Sequence, residues 1–484
     1  MKRVLFVVEL AALVGWVAVA GWATWGGGED GLPALDVAAI AAGPAEEQWM
    51  GLFQSGQHVG YSVSSEAPTA DGGRLFQQKM VFKLASMGEV QQILTAGTAL
   101  TDPEGRVRRF DFVLSAPTRI AGAGEWKDGK IVLDLVQSGT TTRLEFAVPE
   151  PPVIGQTFGT VVRGRTLTPG TSWEVPYFDP IQQLNTSARV SVEAPELLPN
   201  GDTAYWLRTR VSGFETRRLV GSDGAVLREE GGMGLSAVRM PRGEAIAIDA
   251  ADPPDLVGLS AVPAEGPPPR GSRSVFEISG IELDRVPSEP PLQTRDGATV
   301  VIDVPLDEQL VAGLPIEGAG DTEASLSLPA THPEIVARAD ALVAGATDRL
   351  AAVRAIHAFV ASYVQKVPTI GIPNGLEVLR SGRGDCNEHT ALFVSLTRAA
   401  GIPSRIAAGL VYNASLGDAF YYHAWPEVRL GPTDSSGQPG WVPVDPTLRQ
   451  FPADASHLKL VTGDLDRQVE IMGVMGRIRV KVVE

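Results

Sequence analysis

Apolar and polar residues alternate in short segments between residues 46 and 250, and turn signals separate these segments. Residues 106–113 alternate in part, and the strand-like run 130–136 follows Asp128-Gly129, a dipeptide typical of tight hairpins. This spacing of strands and turns predicts an antiparallel β domain over residues 46–250, arranged as a meander or a curled sheet.

The pattern changes twice after residue 250. Residues 251–272 are rich in proline, which predicts a linker, and residues 273–328 resemble a few further strands, which predicts a small β segment. From residue 333 the apolar positions follow helical spacing, over residues 333–344 and again over 347–364. The chain therefore combines β structure with a helical region that begins near residue 333.

A further helix is predicted to begin at Cys386. Gly384-Asp385 supplies a turn and a cap, apolar residues continue through Ala400, and Gly401 followed by Pro403 ends the helix. Cys386 then lies in the first helical turn, where free N–H groups and the positive end of the helix dipole favour a thiolate. A thiolate is the form of cysteine that attacks carbonyl carbon.

Three strand-like runs follow this helix, at residues 405–412, 420–430 and 441–447. The second and third are predicted to pair as a hairpin, which would bring His423 and Asp445 onto neighbouring strands. Such a pair supplies a general base and a carboxylate that fixes its tautomer and orientation. A cysteine at a capped helix start, a histidine in an aromatic strand and an aspartate on the next strand form a candidate nucleophilic triad.

The amino-acid composition excludes several kinds of cysteine site and argues against one class of partner. The 484 residues contain one cysteine, which excludes an intramolecular disulfide, a Cys-x-x-Cys redox pair and a multi-cysteine metal site. Lys and Arg number 41 against 57 Asp and Glu, a net charge of −16, which argues against nucleic acid as a partner. We find no calcium-binding loop and no cofactor fingerprint, so no cofactor is expected.

The region around the triad resembles the transglutaminase-like superfamily of papain-type cysteine enzymes, in its bacterial branch. The resemblance covers about residues 330–465 and rests on four motifs: Gly384-Asp385-Cys386-Asn387-Glu388-His389, Ala399-Ala400-Gly401-Ile402-Pro403-Ser404-Arg405, Tyr422-His423-Ala424-Trp425-Pro426-Glu427-Val428 and Trp441-Val442-Pro443-Val444-Asp445-Pro446-Thr447. It implies that Cys386 is the nucleophile, His423 the general base and acid, and Asp445 the orienting carboxylate. It also implies a papain-like core domain.

Several nearby residues have structural interpretations. His389 and Glu388 are expected to bond into the scaffold, and a metal site built from His389, His423 and Glu388 is only weakly indicated. Trp425 either shields the triad or packs in the core. The backbone N–H of Cys386 is the natural first oxyanion donor, and Gln365 or Asn374 is a candidate for the second.

The first residues predict a membrane segment. Lys2 and Arg3 precede an apolar run over residues 4–25, which is interpreted as a transmembrane signal anchor, as a cleaved signal peptide or, less well, as a core helix. No Lys or Arg occurs between Arg3 and Arg74. The positive-inside rule therefore places everything after residue 25 outside the cytoplasm, in the periplasm or at the cell exterior.

The expected fold class is α+β, with these parts in order: a membrane segment (4–25), a linker (26–45), the antiparallel β domain (46–250), the proline-rich linker (251–272), the small β segment (273–328), a transglutaminase-like catalytic domain (329–465) and a C-terminal strand or tail (466–484). The expected function is acyl transfer on amide bonds of a protein or peptide substrate, with hydrolysis favoured. A crosslinking acyltransferase, a non-catalytic membrane-tethered binding or assembly module and a structural envelope protein are the alternatives.

Overall fold

The computed structural model divides the chain into two compact units. Unit 1 comprises residues 1–84 and 90–253, and unit 2 comprises residues 85–89 and 254–484. The structure describes the following residues: 35, 40–86, 88–116, 119–137, 139–181, 183–212, 214–248, 253–255, 258, 261–310, 321–367, 369, 373–433, 439–463, 471 and 477–484.

Unit 1 is built around one 14-stranded sheet, and the neighbouring strands whose registers are described run antiparallel. Its spatial order is β8-β7-β6-β5-β4-β3-β2-β1-β14-β13-β12-β11-β10-β9, so the chain runs outward in a meander from β1 and returns to pair β14 with β1. Within the described part of this unit one short helix follows the last strand, α1 (Arg242–Ala245). The strands are β1 (Glu46–Gln54), β2 (Gln57–Pro68), β3 (Arg74–Ser86), β4 (Glu89–Thr101), β5 (Val107–Ser115), β6 (Arg119–Lys127), β7 (Lys130–Gln137), β8 (Thr140–Ala147), β9 (Ser172–Asp179), β10 (Leu184–Leu197), β11 (Thr203–Val211), β12 (Phe214–Val220), β13 (Val226–Glu230) and β14 (Leu235–Arg239).

The hairpin between β6 and β7 shows why this sequence forms a meander. Asp128 and Gly129 both have positive φ, 51° and 78°, the conformation that a two-residue hairpin loop needs. Along β7 every second side chain is then buried, among them Ile131, Leu133 and Leu135. The mostly β character expected for this region is confirmed.

The main sheet of unit 2 has nine strands. Its order is β17-β18-β16-β25-β15-β22-β21-β24, with β23 paired to β22. Three of its strands come from residues 273–328, one from the tail and one from the proline-rich segment 251–272, which were expected to form separate parts of the chain. The strands are β15 (Val262–Glu265), β16 (Arg273–Ser279), β17 (Gln293–Asp296), β18 (Thr299–Asp303), β19 (Gln365–Lys366), β20 (Arg383–Gly384), β21 (Ser404–Asn413), β22 (Ala419–Thr433), β23 (Pro439–Pro443), β24 (His457–Thr462) and β25 (Arg479–Val482), of which β19 and β20 form a separate two-stranded pair.

Four helices of unit 2 pack together in an apolar cluster with strands β21 to β23. Asp348 caps the helix Arg349–Tyr363 by accepting a hydrogen bond from the Ala351 N–H at 2.8 Å. The last helix has nine buried residues and contains Leu392, Phe393 and Leu396 at the centre of the cluster. The helices are α2 (Pro333–Val343), α3 (Arg349–Tyr363), α4 (Gly375–Ser381) and α5 (Cys386–Ala399).

The membrane segment expected over residues 4–25 lies outside the described residues. Among the helices that the structure does describe, none combines the length and the apolar character needed to span a membrane.

Candidate active site

Cys386 is the first residue of α5, and the two residues on either side of it explain the start of this helix. The carboxylate of Asp385 accepts the N–H of Asn387 at 2.8 Å, while Glu388 accepts the Asp385 N–H at 2.9 Å, which completes a capping box. Gly384 is required here because a Cβ at this position would lie 2.1 Å from the Cβ of Glu388. Glu388 therefore acts in the scaffold, and it also accepts a hydrogen bond from Thr369 at 2.5 Å.

The Cys386 thiol lies against strand β22. The N–H of Ala424 donates a hydrogen bond to the sulfur, and one turn further along α5 the hydroxyl of Thr390 donates to the Ala424 carbonyl at 3.1 Å. These two contacts fix the helix N-terminus on this strand. Because the Ala424 N–H belongs to the peptide that joins His423 to Ala424, the sulfur sits beside the backbone of His423 itself.

The pKa of Cys386 differs from the sequence-based expectation. Burial raises the pKa of the Cys386 thiol well above its usual range, and the negative charge of Asp385 raises it further. The Ala424 hydrogen bond acts in the opposite direction but is the smaller effect. This upward shift opposes the effect expected from the helix N-terminus, so the helix start by itself does not predict the charge of the thiol.

The structure places His423 and Asp445 in direct contact. The Nε2 atom of His423 lies 2.7 Å from Oδ2 of Asp445, and both side chains are buried. A carboxylate only accepts hydrogen bonds, so Nε2 carries the proton and Nδ1 of His423 is left with a free lone pair. This is the tautomer that a general base requires.

Strand pairing explains how the two residues meet. His423 lies in β22, which pairs antiparallel with β23, as the predicted hairpin requires. Asp445 follows the end of β23 and is fixed by backbone hydrogen bonds in both directions with Gln450, 2.9 and 2.8 Å long. Its Oδ1 also accepts the N–H of Leu448 at 2.9 Å. The carboxylate is thus held in one orientation.

A second histidine contacts the same carboxylate. The Nε2 atom of His457, at the start of β24, lies 3.2 Å from Oδ2 of Asp445. Sequence reasoning did not single out His457, because one histidine beside apolar residues at a strand start is a weak signal. Its contact with Asp445 is apparent only in the folded sheet, where β24 pairs with β21 and β21 lies beside β22.

The contacts that Asp445 and His457 make determine the charges of these two side chains. Burial acts to raise the pKa of Asp445, but its bonds with His423 and then His457 hold it well below the usual range. Burial acts to lower the pKa of His457, but hydrogen bonds and charges of Asp445 and Asp454 raise it to about 9. Asp445 is therefore an anion beside two imidazoles.

Trp425 contributes to both the site and the core. It is 1% exposed, its ring stacks on His423 with centroids 6.2 Å apart, and it meets His457 edge-on at 5.1 Å. Within the described part of the chain its indole N–H has no hydrogen-bond partner. Trp425 therefore packs in the core and covers one face of the His423 ring.

The other residues singled out from the sequence lie elsewhere or are already occupied. Asn374 caps α4 through Oδ1 and donates from Nδ2 to the Leu326 carbonyl at 2.7 Å, so its amide is used for structure. Gln365 is exposed in β19. Nδ1 of His389 lies 2.6 Å from the Asp385 carbonyl, which is the expected scaffold bond. Neither candidate for a second oxyanion donor is supported by these positions.

One trio could be considered for a metal ion. Among the described residues, the ligand atoms of His423, Asp445 and His457 lie within 4.8 Å of one another. These atoms are already joined to one another by hydrogen bonds. We assign no metal to the trio, and the weakly indicated trio of His389, His423 and Glu388 does not converge in this way.

Part of unit 2 matches a known protein family. Residues 336–446 match the model of the family described as the transglutaminase-like superfamily. No curated protein matches the chain.

Three solved structures are similar to parts of it. A candidate cysteine protease from Cytophaga hutchinsonii is 16% identical, with 43% of this chain and 81% of that chain covered and a TM-score of 0.30. A domain of unknown function from Brucella abortus is 12% identical over 42% of this chain and 97% of that chain, with a TM-score of 0.33. A candidate protease from Parabacteroides distasonis is 12% identical over 67% and 63%, with a TM-score of 0.19. These TM-scores are too low to bear on function. The family match, which spans α2 to Asp445, shows that this chain carries a transglutaminase-like domain over residues 336–446.

Proposed function

We propose that this protein is a cysteine enzyme that hydrolyses amide bonds of proteins or peptides through a thioester on Cys386. The observation that carries the proposal is the joint placement of three groups. The Cys386 sulfur accepts the N–H of the His423–Ala424 peptide, and the imidazole of His423 is fixed in its basic tautomer by Asp445. A nucleophile, a base and an orienting carboxylate in this relation support acyl transfer.

The first half-reaction forms the thioester. Because the pKa of Cys386 is raised, the thiol loses its proton to Nδ1 of His423 as the sulfur attacks the amide carbonyl carbon. The C–N bond then breaks, the imidazolium gives this proton to the leaving nitrogen, and the products are an amine and the acyl-enzyme. Asp445 stabilises the imidazolium that exists between these two transfers.

The carbonyl oxygen becomes negative during the attack. The N–H of Cys386 itself belongs to the first helical turn, whose donors have no partners within the helix. The neighbouring donor on Asn387 is used by the Asp385 cap. The Cys386 N–H is accordingly the group that α5 offers to the oxyanion.

The second half-reaction decides the type of enzyme. Water attacking the thioester, with its proton taken by His423, gives a carboxylic acid and restores the thiol, whereas an amine in place of water gives a crosslinked product. We favour water because many bacterial proteins of this superfamily resemble hydrolases. Crosslinking is the alternative, and both share the same first half-reaction.

The experiment traps the acyl-enzyme and measures its fate. The full chain is incubated with a peptic digest of casein, quenched in acid and examined by mass spectrometry for acyl groups on Cys386. Parallel reactions with biotinylated pentylamine compare amine incorporation with the release of ammonia and new amino termini. We expect acylation of Cys386, no acylation in Cys386→Ala, and hydrolysis products in excess. Predominant amine incorporation would identify a crosslinking enzyme.

A non-catalytic binding module predicts a different result, which is no acylation of Cys386 by any peptide in the digest and no difference between the wild type and Cys386→Ala. The large sheet of unit 1 would then be the functional part.

We also propose that the enzyme acts outside the cytoplasm, tethered by residues 4–25. The supporting observation is the charge pattern, since residues 26–73 contain seven acidic residues and no Lys or Arg. Protease treatment of intact spheroplasts that express the full chain tests this. Digestion of the part after residue 25 without lysis is expected, and protection until lysis would contradict it.

A further inference from the structure

We propose that His457 is a positioning residue of this site, held as a buried imidazolium that shares the carboxylate of Asp445 with His423 and keeps His423 in its neutral, basic form. The proposal rests on the proposed function, since it gives His423 the role of base. It extends the triad by a fourth side chain that acts through Asp445 and not on the substrate.

The hydrogen bonds of His457 indicate its protonation state. Nε2 faces Oδ2 of Asp445 at 3.2 Å, and Nδ1 lies 3.0 Å from the carbonyl oxygen of Asp454 and 3.4 Å from its Oδ1. A carboxylate and a carbonyl only accept hydrogen bonds. Both ring nitrogens must therefore carry protons to satisfy these contacts, and a ring protonated on both nitrogens is a cation.

A charge on His457 or on Asp445 is costly unless it is paired, because both side chains are buried. His457 is 3% exposed and Asp445 is 0% exposed, so each charge needs a partner close by. The imidazolium of His457 balances the anion of Asp445 in the resting state. His423 can then stay neutral beside Asp445, because the carboxylate already has its counter-charge.

The two histidines are close enough for their charges to interact. Their ring centroids are 5.9 Å apart, and both Nε2 atoms approach the same oxygen. A positive charge on His457 therefore disfavours a second positive charge on His423. Removal of the His457 charge makes protonation of His423 easier and extends the inactive, protonated form to higher pH.

Charged and titratable groups surround this pair on several elements. On the His457 side, Lys459 of β24 is a cation, but it is paired with Glu427 and Glu289 at 2.8 Å each. The β21 residue opposite His457 is Val411, which has no charge. The remaining titratable groups are Asp445 and Asp454 in the loop, Glu427 and His423 on β22, Asp385, Cys386, Glu388 and His389 around the start of α5, and His357 of α3, which contacts the backbone of Asp445.

The experiment has two arms, and both use the full chain with a chelator present. In the first arm, ¹⁵N-labelled histidine in the wild type is observed by NMR, with His457→Gln as the assignment standard. We expect both nitrogens of His457 to be protonated at pH 7.5. A neutral His457 at this pH overturns the proposal, and this arm does not depend on catalysis.

In the second arm, the rate at which iodoacetamide alkylates Cys386 is measured from pH 4 to 9. In His457→Gln, which retains an N–H donor but no charge, we expect the acid limb of the profile to move upward by roughly one pH unit. His357→Gln is the matched control, because it also removes a buried histidine near Asp445, and burial lowers the pKa of this histidine. The control is expected to leave the acid limb in place.

The outcomes separate this proposal from the proposed function. If His423→Ala abolishes the acid limb while His457→Gln leaves it unmoved, His457 is only structural and this inference fails alone. If His423→Ala itself changes nothing, the proposed function fails and the role of His457 fails with it.

Discussion

Oδ2 of Asp445 lies 2.7 Å from Nε2 of His423, although Asp445 belongs to the turn that follows the neighbouring strand and not to the strand itself. The turn is closed by the paired hydrogen bonds between Asp445 and Gln450. The contact therefore depends on two independent features, the pairing of β22 with β23 and the closure of this turn.

The contact predicts the effect of Asp445→Asn. The amide side chain has no charge to stabilise the imidazolium, and its NH₂ group, when it faces His423, favours the wrong tautomer. We expect the rate of Cys386 acylation to fall by roughly 10²–10⁴-fold, with little change in circular dichroism. A rate within threefold of the wild type would show that Asp445 does not orient the base.

The capping box at α5 predicts the effect of Gly384→Ala. The new Cβ would lie 2.1 Å from the Cβ of Glu388, so the capping side chain must move. We expect a loss of about 1–3 kcal/mol in the free energy of unfolding and slower alkylation of Cys386. Gly345→Ala is the matched control in the same unit, because nothing lies within 4 Å of the position of its Cβ. Equal stability of the two variants would contradict the proposed packing.

The buried ion pair between Lys459 and Glu427 predicts a large effect on stability. Lys459 is 2% exposed and donates to Glu427, itself 1% exposed, at 2.8 Å. In Lys459→Met the carboxylate of Glu427 loses one of its two cationic partners, the other being Arg405. We expect a loss of about 3–5 kcal/mol in unfolding by urea.

The comparison for this variant is Lys481→Met. Lys481 pairs with Glu277 on the surface of the same unit, and loss of that exposed pair is expected to leave the urea midpoint unchanged. A similar urea midpoint for both lysine variants would show that the buried ion pair stabilises the fold no more than the exposed pair does.

The protonation of His457 predicts how stability depends on pH. Its pKa is raised from 6.5 to about 9, so the bond with Asp445 contributes fully below pH 6.5 and is lost as pH rises through 9. We expect the free energy of unfolding to fall by up to about 3 kcal/mol between pH 6.5 and 9. In His457→Gln this slope should be absent, and an identical slope in both proteins would contradict a charged His457.

Much of the catalytic region could be predicted from the sequence because its signals are local. The start of α5 at Cys386 follows from the cap and the turn before it, and the pairing of β22 with β23 follows from two strand-like runs joined by a polar loop. The sequence alone therefore predicts that His423 and Asp445 lie near one another.

Long-range pairing could not be predicted in the same way. Val262–Glu265 in the proline-rich segment and Arg479–Val482 near the C-terminus join one sheet, because each pairs with strands far away in the sequence. The same limit explains why the sequence does not predict a role for His457. Its contact with Asp445 depends on where β24 pairs in the sheet. The raised pKa of Cys386 was missed for a related reason, since burial is a property of the packed fold and not of the helix start.

The central claim is that His423 activates Cys386. Its most direct test is the rate of alkylation of Cys386 by iodoacetamide from pH 4 to 9, in the wild type and in His423→Ala. We expect alkylation of the wild type to be faster than that of His423→Ala throughout the range in which the thiol itself stays protonated. In His423→Ala the reaction should be slow until the thiol, whose pKa is raised, ionises at higher pH. Superimposable profiles for the two proteins would contradict the activation of Cys386 by His423.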